Sequence, residues 1–168
     1  GLISNGRMFY YMAKGRLLAK NRKALFNHSI IDRYDAGVVL KGHEVKAIRE
    51  GKVDFEGSYV RVIKGEVFLT NLKIGRYSKQ SKEISPQDER RDRKLLLNKN
   101  EIKEINRELS EKGKTAVPLA LVLSNNKIKL ELAVVKGKKE FEKKQTAKER
   151  QLKKDMEIDK KQLRQNMY

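Results

Sequence analysis

Apolar positions fall into short alternating runs separated by polar stretches. Residues 27–40 gather Ile30, Ile31, Tyr34, Val38, Val39 and Leu40 around Gly37. These β-branched and aromatic positions, broken by one glycine, predict a strand bent at a bulge. Val45 and Ile48 then stand three apart ahead of Gly51, the narrow apolar side of a short helix over 44–50 with a glycine stop. Strands over 58–63 and 66–73 follow, joined at Lys64-Gly65, where glycine supplies the positive φ of a tight hairpin turn. Asn98 and Glu101 form a capping pair, and Ile102, Ile105 and Leu109 share one face before Gly113, which predicts a helix. Val117, Leu119, Leu121 and Leu123 alternate with smaller or exposed positions, Asn125-Asn126 can turn, and Ile128, Leu130 and Leu132 alternate with Lys127, Lys129 and Glu131. That is an antiparallel hairpin with one buried face.

Between these runs the pattern is silent. Residues 75–93 are polar and read as a loop, and the opening dozen residues show no periodicity. Met12-Ala13-Lys14-Gly15 reads as a more natural beginning than Gly1, so residues 1–11 are set aside as an upstream remnant. After Gly137 neither Gly nor Pro occurs and Lys and Glu dominate. Such a segment buries too little to offset backbone ordering entropy, and is expected to stay unfolded or nascently helical until bound. The expected organisation is a flexible segment over 1–20, a mainly β domain with helices over 21–137, and a basic tail over 138–168. Short antiparallel strands with two interspersed helices suit a small barrel or sandwich, and an OB-like barrel recurs in nucleic-acid binding.

Charge sharpens this picture. The 168 residues carry 40 Lys+Arg against 22 Asp+Glu, a net charge of +18. Both ends are enriched: Arg7, Lys14, Arg16, Lys20, Arg22 and Lys23 stand among residues 1–28 with no acid between them, and residues 136–168 are strongly basic. A field of this sign draws polyanions and makes their binding fall steeply with salt, so nucleic acid is the leading partner. An anionic membrane is the competitor, but the tail offers only scattered apolar side chains for an interfacial helix, and no run is long enough to span a bilayer. The absence of Cys excludes a disulfide framework, a thiol nucleophile and cysteine-ligated metals, and agrees with a reducing cytoplasm.

Catalysis finds little support. His28 and His43 are the only histidines and do not share a ligand spacing, Ser58 lacks a nucleophile elbow, and the glycines form no phosphate-binding loop. Asp88, Glu89 and Asp92 could hold magnesium for phosphodiester cleavage, yet they alternate with Arg90, Arg91 and Arg93, a mixed-charge loop more than a metal cage. No cofactor or metal is expected. Tyr34, Tyr59, Phe68 and Tyr77 interleave with Arg33, Arg61, Lys73 and Arg76, the mixture that stacks unpaired bases while holding phosphates. Phe68, inside an apolar strand, reads as ordinary packing, whereas Tyr59 and Tyr77 suit either role.

Four motifs in order carry a specific resemblance: N-R-K-A (21–24), Y-D-A-G-V-V-L-K-G-H-E-V-K-A-I-R (34–49), D-R-K-L-L-L-N (92–98) and V-K-G-K-K (135–139). From about Asn21 to Lys144 the chain resembles the small protein B family, the transfer-messenger-RNA-binding proteins of bacterial trans-translation. The resemblance implies an OB-like barrel without catalytic activity that binds the tRNA-like domain of transfer-messenger RNA (tmRNA), supports its aminoacylation and brings it to stalled ribosomes. It implies further that the tail enters the small-subunit decoding centre and the empty mRNA channel as a helix, and that elongation factor Tu and alanyl-tRNA synthetase are partners only through tmRNA. At matching positions the RNA-side residues would be Asp35, Leu96 and Lys129, joined here by Arg22, Lys23 and Tyr59. The ribosome-side residues would be Lys136, Gly137, Lys138, Lys139, Phe141, Lys143 and Lys144. The family usually has Glu where Asp35 stands, and typically Asp-Lys-Arg where this chain has Glu142-Lys143-Lys144 and an aromatic or His at Phe141. The general alternative is a ribosomal or single-strand RNA-binding OB protein.

Overall fold

The computed structural model describes residues 15–80, 83–137 and 151–152. In chain order they form β1 (Arg16–Lys20), α1 (Arg22–Asn27), β2 (His28–Val38), α2 (Gly42–Arg49), β3 (Val53–Asp54), β4 (Tyr59–Ile63) and β5 (Glu66–Thr70). There follow β6 (Lys73–Ile74), α3 (Pro86–Glu89), β7 (Arg93–Leu96), α4 (Lys99–Leu109), β8 (Lys114–Ser124) and β9 (Lys127–Gly137). The larger sheet runs β1-β8-β4-β5-β7-β2-β9, and β8 pairs also with β9. The path β8-β4-β5-β7-β2-β9 therefore returns to β8, and six antiparallel strands form a closed ring of pairings with β1 attached outside it. β3 and β6 make a separate two-stranded ladder.

Both predicted hairpins form, and their turns explain themselves. Lys64 and Gly65 have φ of 51° and 76°, and Asn125 and Asn126 have φ of 50° and 63°. Positive φ at both central residues gives a twist that matches the flanking strands. In α4 the Asn98 side chain accepts from the Glu101 N–H (2.9 Å) while the Glu101 carboxylate accepts from the Asn98 N–H (3.2 Å), the reciprocal cap expected from sequence. The strand expected over 66–73 divides instead at Asn71, whose φ is 63°, so Lys73 and Ile74 turn away to pair with β3.

Tyr34, Ala36, Val60, Val67, Leu69, Leu95, Leu121, Leu130, Leu132 and Val134 fill the ring, with Ile105 of α4 and Ala47 and Ile48 of α2 packed against them. The β8–β9 hairpin departs from expectation, because it is buried on both faces over most of its length. A second cluster of Ala24, Val117, Leu119, Ala133 and Val135 lies on the opposite faces of these strands, where α1 covers them. Seating α1 depends on Asn21: its backbone N–H donates to Leu119 O (2.7 Å), its Nδ2 donates to Pro118 O (2.8 Å), and its Oδ1 accepts from the Ala24 N–H (3.2 Å). One side chain thus caps the helix and ties it to the irregular register between Pro118 and Ala120 in β8.

The flexible segment expected over 1–20 is corrected over its last five residues. Arg16–Lys20 form β1, paired antiparallel to β8 from Ala120 to Leu123. A five-residue strand with so weak an alternation has no local signature; the partner edge of β8, free there because β4 meets β8 only at Ala116, supplies the order. The loop expected over 75–93 likewise contains α3, capped where Ser85 Oγ accepts from the Asp88 N–H (3.1 Å). The tail over 138–168, apart from residues 151–152, lies outside the described residues.

Candidate nucleic-acid interface

Strand alternation sorts β2 into an inner set, Tyr34 and Ala36, and an outer set that includes Asp35 and Gly37. Gly37 stands opposite Leu96 of β7 on one side and Lys129 of β9 on the other. Asp35, two residues back on the same face, stands opposite Glu131. The three residues carried over as RNA-side determinants therefore meet on one outer face spanning β7, β2 and β9. Leu96 is 55% exposed there, an unusual state for a leucine in a strand, and Lys129 and Asp35 are exposed beside it. Gly37, Leu40, Val45, Leu96, Lys127 and Lys129 line a shallow cleft of about 350 Å³, an apolar wall with cations along its rim. Such a surface can hold a base or ribose against carbon while ammonium groups meet phosphate.

The support beneath this face comes from a buried ion cluster that periodicity missed. Glu44 of α2 and Arg93 of β7 are 2% and 0% exposed. Arg93 Nε and Nη2 donate to Glu44 Oε2 at 2.9 and 2.6 Å, Arg93 also donates to the carbonyls of Leu72 and Glu89, and Arg91 donates to Glu44 Oε1. Burial pushes the Glu44 carboxyl up, but the Lys41 N–H and the two guanidiniums outweigh it and hold the group below the usual carboxylate range. Burial lowers the Arg93 pKa, opposed by Glu44. Glu44 belongs to the H-E-V-K run and Arg93 to D-R-K-L-L-L-N, so two of the four motifs meet in one contact.

Arg22, Lys23 and Tyr59 gather elsewhere. They line a groove of about 840 Å³ beneath α1, shared with Lys20, His28 and Phe55. Tyr59 is 41% exposed, and Arg22 and Lys23 point to solvent from the first turn of the helix that Asn21 anchors. Gly137 stands opposite His28 and Lys136 opposite Ser29, so β9 delivers the chain beside this same groove. Lys138, Lys139, Phe141, Lys143 and Lys144 lie outside the described residues.

The remaining aromatics separate. Tyr34 is inside the ring, its hydroxyl donating to Glu104 Oε2 (3.4 Å). Burial, with the charges of Glu108, Asp32 and Glu104, pushes its pKa up to about 12. Phe68, read as packing, instead lies on the outer side of β5, half-buried, because Val67 and Leu69 on either side take the inward positions. Tyr77 packs against the core with Lys46 Nζ 5.1 Å from its ring centre. Asp88 and Glu89 sit in α3, while Asp92 is engaged by Arg61 at 2.6 Å; among the described residues no three His, Asp or Glu side chains are placed to hold a metal ion. A hydrogen bond to Asp32, aided by burial and the Asp32 charge, pushes Glu108 up to about 7.

Comparison with known proteins agrees with the order of motifs. The family profile described as SmpB protein matches residues 18–162. The SsrA-binding protein of Persephonella marina is 44% identical over 141 residues, covering 84% of this chain and 91% of that protein. That of Clostridium tetani is 43% identical over 149 residues, covering 87% and 94%. A solved chain described as "tmRNA-SmpB: a journey to the center of the bacterial ribosome" superposes with a TM-score of 0.62 at 42% identity, covering 73% of this chain and 85% of that one. With a family match across most of its length and these identities over more than four-fifths of it, the chain belongs to the SmpB family of SsrA-binding proteins.

Proposed function

We propose that this protein is a non-enzymatic tmRNA-binding factor of ribosome rescue, acting in the cytoplasm. Its closed ring of strands serves as an OB-like barrel, and the β7-β2-β9 face takes the tRNA-like domain of tmRNA. The observation that carries this reading is the convergence of Asp35, Leu96 and Lys129, drawn from three distant stretches of sequence, onto one exposed face. Asp35 can accept hydrogen bonds from base amino or imino groups, Leu96 gives an apolar contact, and Lys129 neutralises phosphate. In this reading the protein supports aminoacylation of tmRNA, meets elongation factor Tu and alanyl-tRNA synthetase only through that RNA, and sends its basic tail into the decoding centre and mRNA channel. No helix among the described residues is long and apolar enough to cross a membrane.

The +18 charge favours a second reading, a field-driven binder of any RNA. Binding to the tRNA-like domain and to an unrelated RNA of equal length, across a salt series, separates the two. A preference that persists at moderate salt supports shape recognition; affinities that collapse together support the general binder. The division between barrel and tail has its own test. Truncation after Lys136 is expected to leave tmRNA binding largely intact and abolish peptide tagging on stalled ribosomes, and equal loss of both would reject it.

A further inference from the structure

Glycine inside a strand loses backbone entropy and packs nothing, so its presence at position 37, in the middle of the RNA-facing row, needs a cause. The cause is not backbone geometry, because Gly37 is absent from the residues with positive φ. It is the approach of Leu96. A Cβ built at Gly37 would have as its three nearest heavy atoms Leu96 Cβ at 3.3 Å, Cδ1 at 3.5 Å and Cγ at 3.7 Å. The Leu96 side chain lies across the space a residue-37 side chain would occupy. Leu96 is also the last residue of β7 and is more than half exposed, so it can be displaced without opening the core.

We propose that Gly37 is the positioning residue of this face: by leaving its side-chain space empty it lets Leu96 lie down across β2, between Asp35 and Lys129, and sets the height of the surface that RNA meets. The proposal rests on the reading of this face as the tmRNA interface. It makes Gly37 a determinant of binding more than of folding, since its backbone lies outside the positive-φ region and the new methyl asks the exposed Leu96 to give by a few tenths of an ångström.

The test combines three readouts on the full chain: the NMR signals of the Leu96 methyl groups, thermal stability, and affinity for the tRNA-like domain of tmRNA. Gly37→Ala should move the Leu96 methyl signals, leave the melting temperature close to that of the wild type, and weaken binding about threefold to tenfold, the range spanned by forcing one side chain off its rotamer. In a Leu96→Gly background Gly37→Ala should weaken binding no further, since the three atoms nearest the new methyl are gone. Unmoved methyl signals, or an equal loss in the Leu96→Gly background, would overturn the proposal. If Leu96→Ala itself binds as tightly as the wild type, the RNA reading of the face fails, and the methyl signals alone decide whether Gly37 positions Leu96. Should Gly37→Ala fold poorly, Gly37→Ala/Leu96→Gly removes the three atoms nearest the new methyl. Recovery of folding in that variant sustains the contact as the cause, and continued misfolding overturns it.

Discussion

The β7-β2-β9 face and the groove beneath α1 are both cationic and aimed at solvent, yet they are held in different ways. The first is built on three hydrogen-bonded strands whose pairing is regular from Asp32 to Val38 of β2, with Glu44 and Arg93 locking α2 against β7 behind it. The second takes its charges from the first turn of a six-residue helix, far below the length at which a helix is stable alone, seated through Asn21 and a small apolar cluster. A surface read by shape needs fixed relative positions, which a ladder of strands gives. A surface that meets charge can tolerate a lightly tethered support.

Breaking the stronger support should have the largest effect. Glu44→Ala leaves two guanidiniums facing a buried vacancy and should cost about 3–5 kcal/mol of stability, as loss of one partner of a buried pair does, measured by denaturant unfolding. The pH dependence has a defined sign. Because the Glu44 carboxyl is held low, its contribution is present above the ordinary carboxylate pKa and disappears as acid titrates the folded protein. Glu44→Gln should therefore flatten the acid limb of the stability profile.

Asn21→Ala tests the weaker support. Loss of a helix cap costs about 0.5–2 kcal/mol, and hydrogen exchange should rise in α1 before it rises in β2 or β9. A comparable rise throughout the ring would erase the distinction between the two surfaces. At Lys129 the expected effect is on binding alone: Lys129→Ala should lower the salt slope of RNA binding by roughly 0.7–0.9 with stability unchanged, and an unchanged slope removes this residue from the phosphate contacts. The smallest effect is expected at the Asp32–Glu108 pair. A folded carboxyl pKa raised to about 7 means the folded state keeps a proton the unfolded chain has lost, so this pair weakens the fold as pH rises from the ordinary carboxylate range through 7. Asp32→Asn should raise the melting temperature at pH 8 and have little effect near pH 4.

Much of this frame was legible in the sequence where the cause is local. Two turns with positive φ, one reciprocal cap and the alternation of Ile128, Leu130 and Leu132 mark their elements without help. Asp35, Leu96 and Lys129 became legible only through resemblance to a family, since nothing in their local runs sets them apart; strand register is what makes them neighbours. The elements that escaped are those whose order comes from a distant partner. β1 exists because β8 has an unpaired stretch, α1 because Val117, Leu119, Ala133 and Val135 need cover, and Glu44 meets Arg93 across 49 residues of chain. A buried carboxylate on a mostly polar helix looks, in sequence alone, like any solvated charge.

The closed ring carries a kinetic consequence. β2 and β9 join residues about a hundred positions apart, from His28 against Gly137 to Gly37 against Lys129, while β4–β5 and β8–β9 are local hairpins. The hairpins can form on the microsecond scale, but the ring cannot shut until the far ends of the domain meet, which places overall folding in the slower regime of non-local β topology. Until that moment β2 presents an open edge, and the outer face that joins Asp35, Leu96 and Lys129 does not exist, because Gly37 has no Lys129 beside it. In the proposed reading of that face, recognition is thus the last property of this domain to appear as it folds and the first to disappear when β9 peels away.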